Sequence, residues 1–138
     1  ANARASCFKS VDQSIPANVW TPLVWQNAQQ FGGLITLPSS TATVVQAGLY
    51  LVSASVQWAW TGNTPSYRFA SFTDGTAVFD LTPMEEATIP TNLVCSFHRV
   101  LPMTVGQNIW IQVYHSCTSN QTVMLNSSSF QITYLGNA

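Results

Sequence analysis

From Tyr50 to Trp60 the chain alternates without a break. Tyr50, Val52, Ala54, Val56, Trp58 and Trp60 fall on one face, and Leu51, Ser53, Ser55, Gln57 and Ala59 on the other. A period of two is the signature of a β-strand, because successive side chains leave opposite faces of the pleat. Ala47-Gly48 punctuates its start, and Thr61-Gly62-Asn63-Thr64-Pro65 ends it. The first face reads as core. The second is neither charged nor strongly apolar. Such small and amide side chains fit a surface buried against another subunit, and equally the plain solvent face of a Ser/Thr-rich protein.

The same pattern recurs along the chain. Ile109, Ile111 and Val113 oppose Trp110, Gln112 and Tyr114, and Phe130, Ile132 and Tyr134 alternate with Gln131, Thr133 and Leu135. Weaker strands are predicted at 19–25, 34–37, 41–45, 67–72, 77–81, 93–100 and 121–125. No convincing helix is found; Pro83-Met84-Glu85-Glu86-Ala87 reads as a single turn at most. About ten short strands separated by Gly, Pro, Asn and Asp clusters predict an all-β, two-sheet antiparallel sandwich or barrel. Neither a linker nor an internal repeat divides the 138 residues, so one domain is expected over 13–138. Residues 1–12 are set apart as a lead-in or neck, with Cys7 in it.

Charge narrows the function. Only 7% of residues are charged, against roughly 25% in an ordinary chain. Polarity comes instead from Ser and Thr, 15 each, with 10 Gln and 9 Asn. These residues favour turns and strand surfaces over helices. Four scattered cations are too few for a nucleic-acid binder. No apolar run approaches the ~20 residues of a spanning helix, so neither nucleic-acid binding nor membrane insertion is expected. A net charge of −1 leaves little repulsion between copies.

The chemistry-bearing residues do not assemble into a reaction centre on paper. His98 lies three residues after Cys95, so their side chains leave opposite faces of a strand. His115 and Cys117 share a face but have no acid nearby to orient the imidazole. Glu85-Glu86 is the one tight acidic pair, and sequence neighbours rarely converge on one substrate atom. No His/Cys spacing fits zinc. No catalytic residue, metal or cofactor is therefore expected. Cys95 and Cys117 sit at ends of successive predicted strands, where either a bridge or two reduced thiols fit. Exposed indoles stack on sugars; Trp60, beside the 61–65 loop, is the best candidate for an exposed ring, and core or interface packing is the default for the others.

Four segments, in order, resemble one known family. Gln13-Ser14-Ile15-Pro16-Ala17-Asn18-Val19-Trp20-Thr21-Pro22-Leu23 looks like the opening segment of bacterial and bacteriophage members of the tumour-necrosis-factor-like jelly-roll superfamily, to which the complement globular head belongs. Ala47-Gly48-Leu49-Tyr50-Leu51-Val52 resembles the family's Gly-Leu-Tyr strand opening. Val105-Gly106-Gln107-Asn108-Ile109-Trp110-Ile111 resembles its Gly-Asp turn, with Gln107 in place of Asp. Ser129-Phe130-Gln131-Ile132-Thr133-Tyr134-Leu135-Gly136 resembles its closing strand.

The resemblance implies a two-sheet jelly roll that assembles as a compact homotrimer. It implies that Leu51, Ser53, Ser55 and Gln57 face the three-fold axis, and it puts Trp110, Gln112 and Tyr114, then Gln131, Thr133 and Leu135, toward partner subunits. It further implies the knob of a fibre or spike, or a capsid decoration, on a virion surface or otherwise extracellular. Self is then the first partner, a stalk, capsid or tail component the second, and a host-surface glycan or protein the third. The candidate ligand loops are 61–66, 82–92 and 116–121, with Trp60, Asn63, Tyr67, Glu85, Glu86 and Asn120 as candidate contacts. A carbohydrate-binding module and a purely structural coat subunit are the alternatives.

Overall fold

A computed structural model describes residues 3–37, 39–61, 67–85 and 92–137. Twelve strands run in order: β1 (Arg4–Phe8), β2 (Gln13–Ile15), β3 (Thr21–Pro22), β4 (Asn27–Phe31), β5 (Thr41–Thr43), β6 (Gly48–Trp58), β7 (Tyr67–Thr73), β8 (Val78–Glu85), β9 (Leu93–Met103), β10 (Asn108–His115), β11 (Gln121–Val123) and β12 (Ser129–Gly136). No helix occurs among the described residues. The strands form two antiparallel sheets. The larger runs β4-β1-β12-β6-β9, and β11 and β2 extend it beyond the far end of β6. In the smaller, β3 and β5 both pair with β10, which is followed by β7 and β8.

The core lies between the sheets and is built from the alternation itself. Tyr50, Val52, Val56 and Trp58 of β6 are fully buried, as are Ile109, Ile111 and Val113 of β10 and Phe130 and Ile132 of β12. Each such side chain contributes roughly 1.5–3 kcal/mol by leaving water. Gly48 opens β6 where no side chain fits: at φ 156° its backbone passes so close to β12 that a Cβ would lie 2.4 Å from the Gly136 carbonyl oxygen. At the open edge between β8 and β9, a register shift in the β7–β8 pairing places Asp80 at φ 51°, and its carboxylate accepts a hydrogen bond from Arg99 Nη1 at 3.1 Å. That ion pair joins the two sheets across the rim.

Three expectations are corrected, and one open alternative is decided. The first dozen residues do not stand apart: β1 pairs with β12 on one side and β4 on the other, and Cys7 is buried. Residues 34–37 form no strand; Leu34 and Ile35 are buried in a connection, and the strand is β4 just before it. The turn expected from Pro83 is the end of β8, which continues through Glu85. Cys95 and Cys117 are not bridged, and all three cysteines are free thiols. β9 and β10 are successive but belong to different sheets, so the strand ends carrying these cysteines are not ladder neighbours.

Candidate assembly interface and ligand end

The outward face of the larger sheet is continuous from β4 to β9. Register sets its rows: Leu51 of β6 lies opposite Val100 of β9 and Thr133 of β12, and Ser53 lies opposite His98 and Gln131. Thr133 is followed across the sheet by Arg4 and then Phe31, and Gln131 by Ser6 and Gln29. Arg4 is the one Asp, Glu, Lys or Arg among the described outward positions of these five strands. Large apolar side chains stand open on the same face: Phe31 is 49% exposed, Val94 and Val100 49% each, and Leu135 52%. Between them runs a shallow trough of Ser53, Ser55, Ser96, His98, Ser129 and Gln131. One charge with exposed Phe, Val and Leu on a continuous face is a composition suited to burial against another surface.

The ten candidate interface residues do not share one face. Leu51, Ser53, Ser55, Gln57, Gln131, Thr133 and Leu135 lie on the outward side of the larger sheet. Trp110, Gln112 and Tyr114 lie on the outward side of the smaller, opposite Thr73, Ser71 and Phe69 of β7. The cause is the connection at 104–107, which carries the chain from one sheet to the other. Alternation tells which residues of a strand turn from the core. It does not tell which layer the strand joins.

The described candidate ligand contacts, Trp60, Tyr67 and Asn120, fall at one end of the sandwich, where β6 finishes and β7 and β11 begin. Arg68 is fully buried there; its Nη2 donates to Gln121 Oε1 at 2.8 Å and its guanidinium lies 5.6 Å from the Trp58 ring centre. The Thr61 hydroxyl donates to the same Gln121 oxygen at 3.0 Å. This knot brings the neighbouring residues Trp60, Tyr67 and Asn120, all exposed, to the same end. Trp60 is 37% exposed, and its backbone N–H donates to Asn92 Oδ1. Glu85 closes β8 opposite Tyr67, without a described side chain. Asn63 and Glu86 lie outside the described residues, as do most of 61–66 and 82–92.

The histidines separate cleanly. His98 is exposed on the outward face, whereas Cys95 points to the interior. His115 is buried beneath the same end of the sandwich, with Nε2 donating to the Ile15 carbonyl at 2.7 Å and Nδ1 accepting the Cys117 N–H at 3.2 Å. Both ring nitrogens serve the backbone, which fixes a neutral imidazole. Burial lowers its pKa, with the nearby Arg68 charge acting in the same direction against the Ile15 hydrogen bond. Burial pushes the Cys7 thiol up to about 12. No three His, Cys, Asp or Glu come together among the described residues.

Known structures share this fold. Eiger TNF from S. frugiperda superposes with a TM-score of 0.67 at 12% identity, over 99% of this chain and 94% of that one. The globular domain of zebrafish complement 1qA gives 0.72 at 12% identity, over 99% of both chains. Murine APRIL gives 0.71 at 12% identity, over 98% of this chain and 100% of that one. The chain has the TNF/C1q jelly-roll fold. No protein-family model matches the sequence, and no curated protein matches it either. At such identities the likeness is one of backbone, so the side chains that give this jelly roll its surfaces are its own. One of them was not singled out from the sequence. Trp20, just before β3, is 41% exposed and packs against Tyr114 and Phe69 on the outward side of the smaller sheet.

Proposed function

We propose that the chain is a trimeric structural and attachment domain of an extracellular assembly, such as a virion fibre, spike or capsid decoration. The observation that carries this reading is the outward face of the larger sheet, which bears one charge and several open apolar side chains. Three copies packed through that face around a three-fold would remove Leu51, Ser53, Ser55, Gln57, Gln131, Thr133 and Leu135 from water. The ligand ends of all three would then point the same way. Multivalency supplies the mechanism: weak single contacts to a surface, repeated three times on a rigid frame, gain avidity without any new contact. A stalk, capsid or tail component would hold the trimer, and a host-surface glycan or protein would be bound.

The test couples assembly to adhesion. Ser53→Arg places a cation at the centre of the face without touching the core. The labelled wild-type chain is expected to adhere to cells of its host and to remain through washing, and the Ser53→Arg chain to sediment as a monomer and wash off. Equal retention of a monomeric variant would refute the avidity mechanism. A trimer that no host surface retains would leave a coat subunit and refute the attachment role.

A further inference from the structure

The outward side of the smaller sheet carries an aromatic platform. Trp20 lies 5.3 Å from Tyr114 and 6.4 Å from Phe69 between ring centres, and Phe69 lies 6.1 Å from Tyr114. The three rings are tilted by 40–50° to one another, so they form a shallow, facetted surface rather than a stack. Tyr67, two residues before Phe69 on the same face of β7, is 53% exposed. Aromatic rings usually bury themselves; here Trp20 keeps 41% of its surface open.

The platform is held in place. The Asn18 N–H donates to the His115 carbonyl at 2.9 Å, and the Leu23 N–H donates to the Ile111 carbonyl at 2.9 Å, so both flanks of Trp20 are bonded to β10. Asn18 adopts φ 60°, and the Tyr114 hydroxyl donates to its Oδ1 at 3.2 Å. A fixed aromatic surface loses little freedom on binding.

Its polar groups select a ligand class. The Asn18 amide nitrogen makes no hydrogen bond among the described residues and belongs to an exposed side chain. The Tyr114 oxygen keeps acceptor capacity after donating its proton. A donor and an acceptor thus border the rings. No Lys or Arg lies on the outward side of this sheet among the described residues, since Arg68 is buried. Phosphate, sulfate and carboxylate ligands therefore find no counter-charge, whereas a neutral pyranose matches: its C–H face covers an indole and its hydroxyls exchange hydrogen bonds with an amide and a phenol.

We infer that Trp20, Tyr114, Phe69 and Asn18 form a binding site for neutral saccharides on the outward face of the smaller sheet. The site deepens the attachment half of the proposed function and does not depend on the trimer. It lies beside the ligand end, because Asn18 and Tyr114 adjoin His115 at the close of β10. It also lies on the sheet opposite the proposed subunit interface, so assembly would leave it open on every copy.

The test uses the full chain on an array of neutral glycans ending in galactose, glucose, mannose or N-acetylglucosamine, beside sialylated and sulfated ones. Sedimentation mass is measured in parallel. Wild type is expected to bind neutral glycans in preference to acidic ones. Trp20→Ala is expected to weaken that binding by about tenfold, the loss of one aromatic stacking surface, with no change in mass. Trp20→Phe, which keeps a ring, is expected to retain most of it, and Tyr114→Phe, which removes only the hydroxyl, to weaken it less than Trp20→Ala does. These two variants carry the test if Trp20→Ala does not fold. The inference is overturned if wild type binds none of the neutral glycans, if it prefers acidic ones, or if the Trp20 and Tyr114 variants bind as wild type does. A fall in mass on Trp20→Ala would also overturn it, by making this face a contact between copies; the mass of the wild type, read separately, judges the trimer.

Discussion

Lys9 provides a quantitative check on the packing at the sheet corner. It is 4% exposed, and its ammonium donates to Gln13 Oε1 at 2.5 Å and to the Val24 carbonyl at 2.7 Å, with the Trp25 ring centre 5.2 Å away. Burial lowers its pKa from 10.5 to about 8, more than the Asp12 charge restores. The sign follows from linkage. Between pH 8 and pH 10.5 the unfolded chain holds a proton that the folded chain has released, so stability rises with pH across that window and is flat below it. The full difference is about 3 kcal/mol, of which about 2.5 kcal/mol appears between pH 7 and pH 10. Lys9→Met keeps the apolar stem and deletes the titration. At pH 7 relief of the buried charge offsets the loss of a donor to the Val24 carbonyl, a cost of about 1–3 kcal/mol. Guanidinium unfolding of both proteins at equal concentration, from pH 7 to pH 10.5, isolates the residue, because Tyr50 and the buried thiols cancel in the difference. Wild type is expected to gain about 2.5 kcal/mol on the variant between pH 7 and pH 10. A difference that stays flat across that range would refute the claim that this ammonium is held in the interior.

Three further outcomes follow. Leu51→Glu sets a carboxylate on the proposed three-fold face and is expected to reduce the sedimentation mass to the 15.0 kDa of one chain, whereas Val78→Glu, on the 53%-exposed edge of the smaller sheet, leaves it unchanged; identical behaviour of the two would remove the distinction between the faces. Gly48→Ala drives a Cβ to 2.4 Å from the Gly136 carbonyl oxygen and 2.5 Å from Tyr134 Cε2, and is expected to cost about 2 kcal/mol or more in denaturant unfolding; a neutral result would mean that β6 and β12 are not in such close contact. The lowered pKa of His115 means that the unfolded chain takes up the proton first, so its contribution is complete above pH 6.5 and is lost as pH falls below that value. The thermal midpoint should drop from pH 7.5 toward pH 5, with a shallower slope in His115→Gln, and an unchanged slope in that variant would assign the acid sensitivity elsewhere.

The fold was legible where the inward side chains are large. β6 announces itself through Tyr50, Val52, Val56 and Trp58, and β10 and β12 through Ile and Phe at alternate positions. β1 and β4 were silent because their inward residues are Ala5, Cys7, Ala28 and Gln30, too small or too polar to mark a period. They are strands because β12 offers an edge to pair with. Layer membership was illegible for a different reason. A strand's alternation is the same whichever sheet it enters, so Trp110 and Tyr114 looked like companions of Leu51. The aromatic platform shared that fate. Trp20 follows Asn18 in the opening segment, but only the pairing of β10 with β7 brings Tyr114 and Phe69 beside it. The neutral surface, by contrast, was readable from composition, since few charges leave any large face poor in them.

The proposed trimer has copies of the chain covering the outward face of the larger sheet around a three-fold, and sedimentation equilibrium of the untagged chain, followed on dilution, decides whether it forms. A single species at three times 15.0 kDa that persists as the protein is diluted is expected. A stable, well-folded species at 15.0 kDa, with Leu51, Val100 and Leu135 bare to solvent, would contradict it.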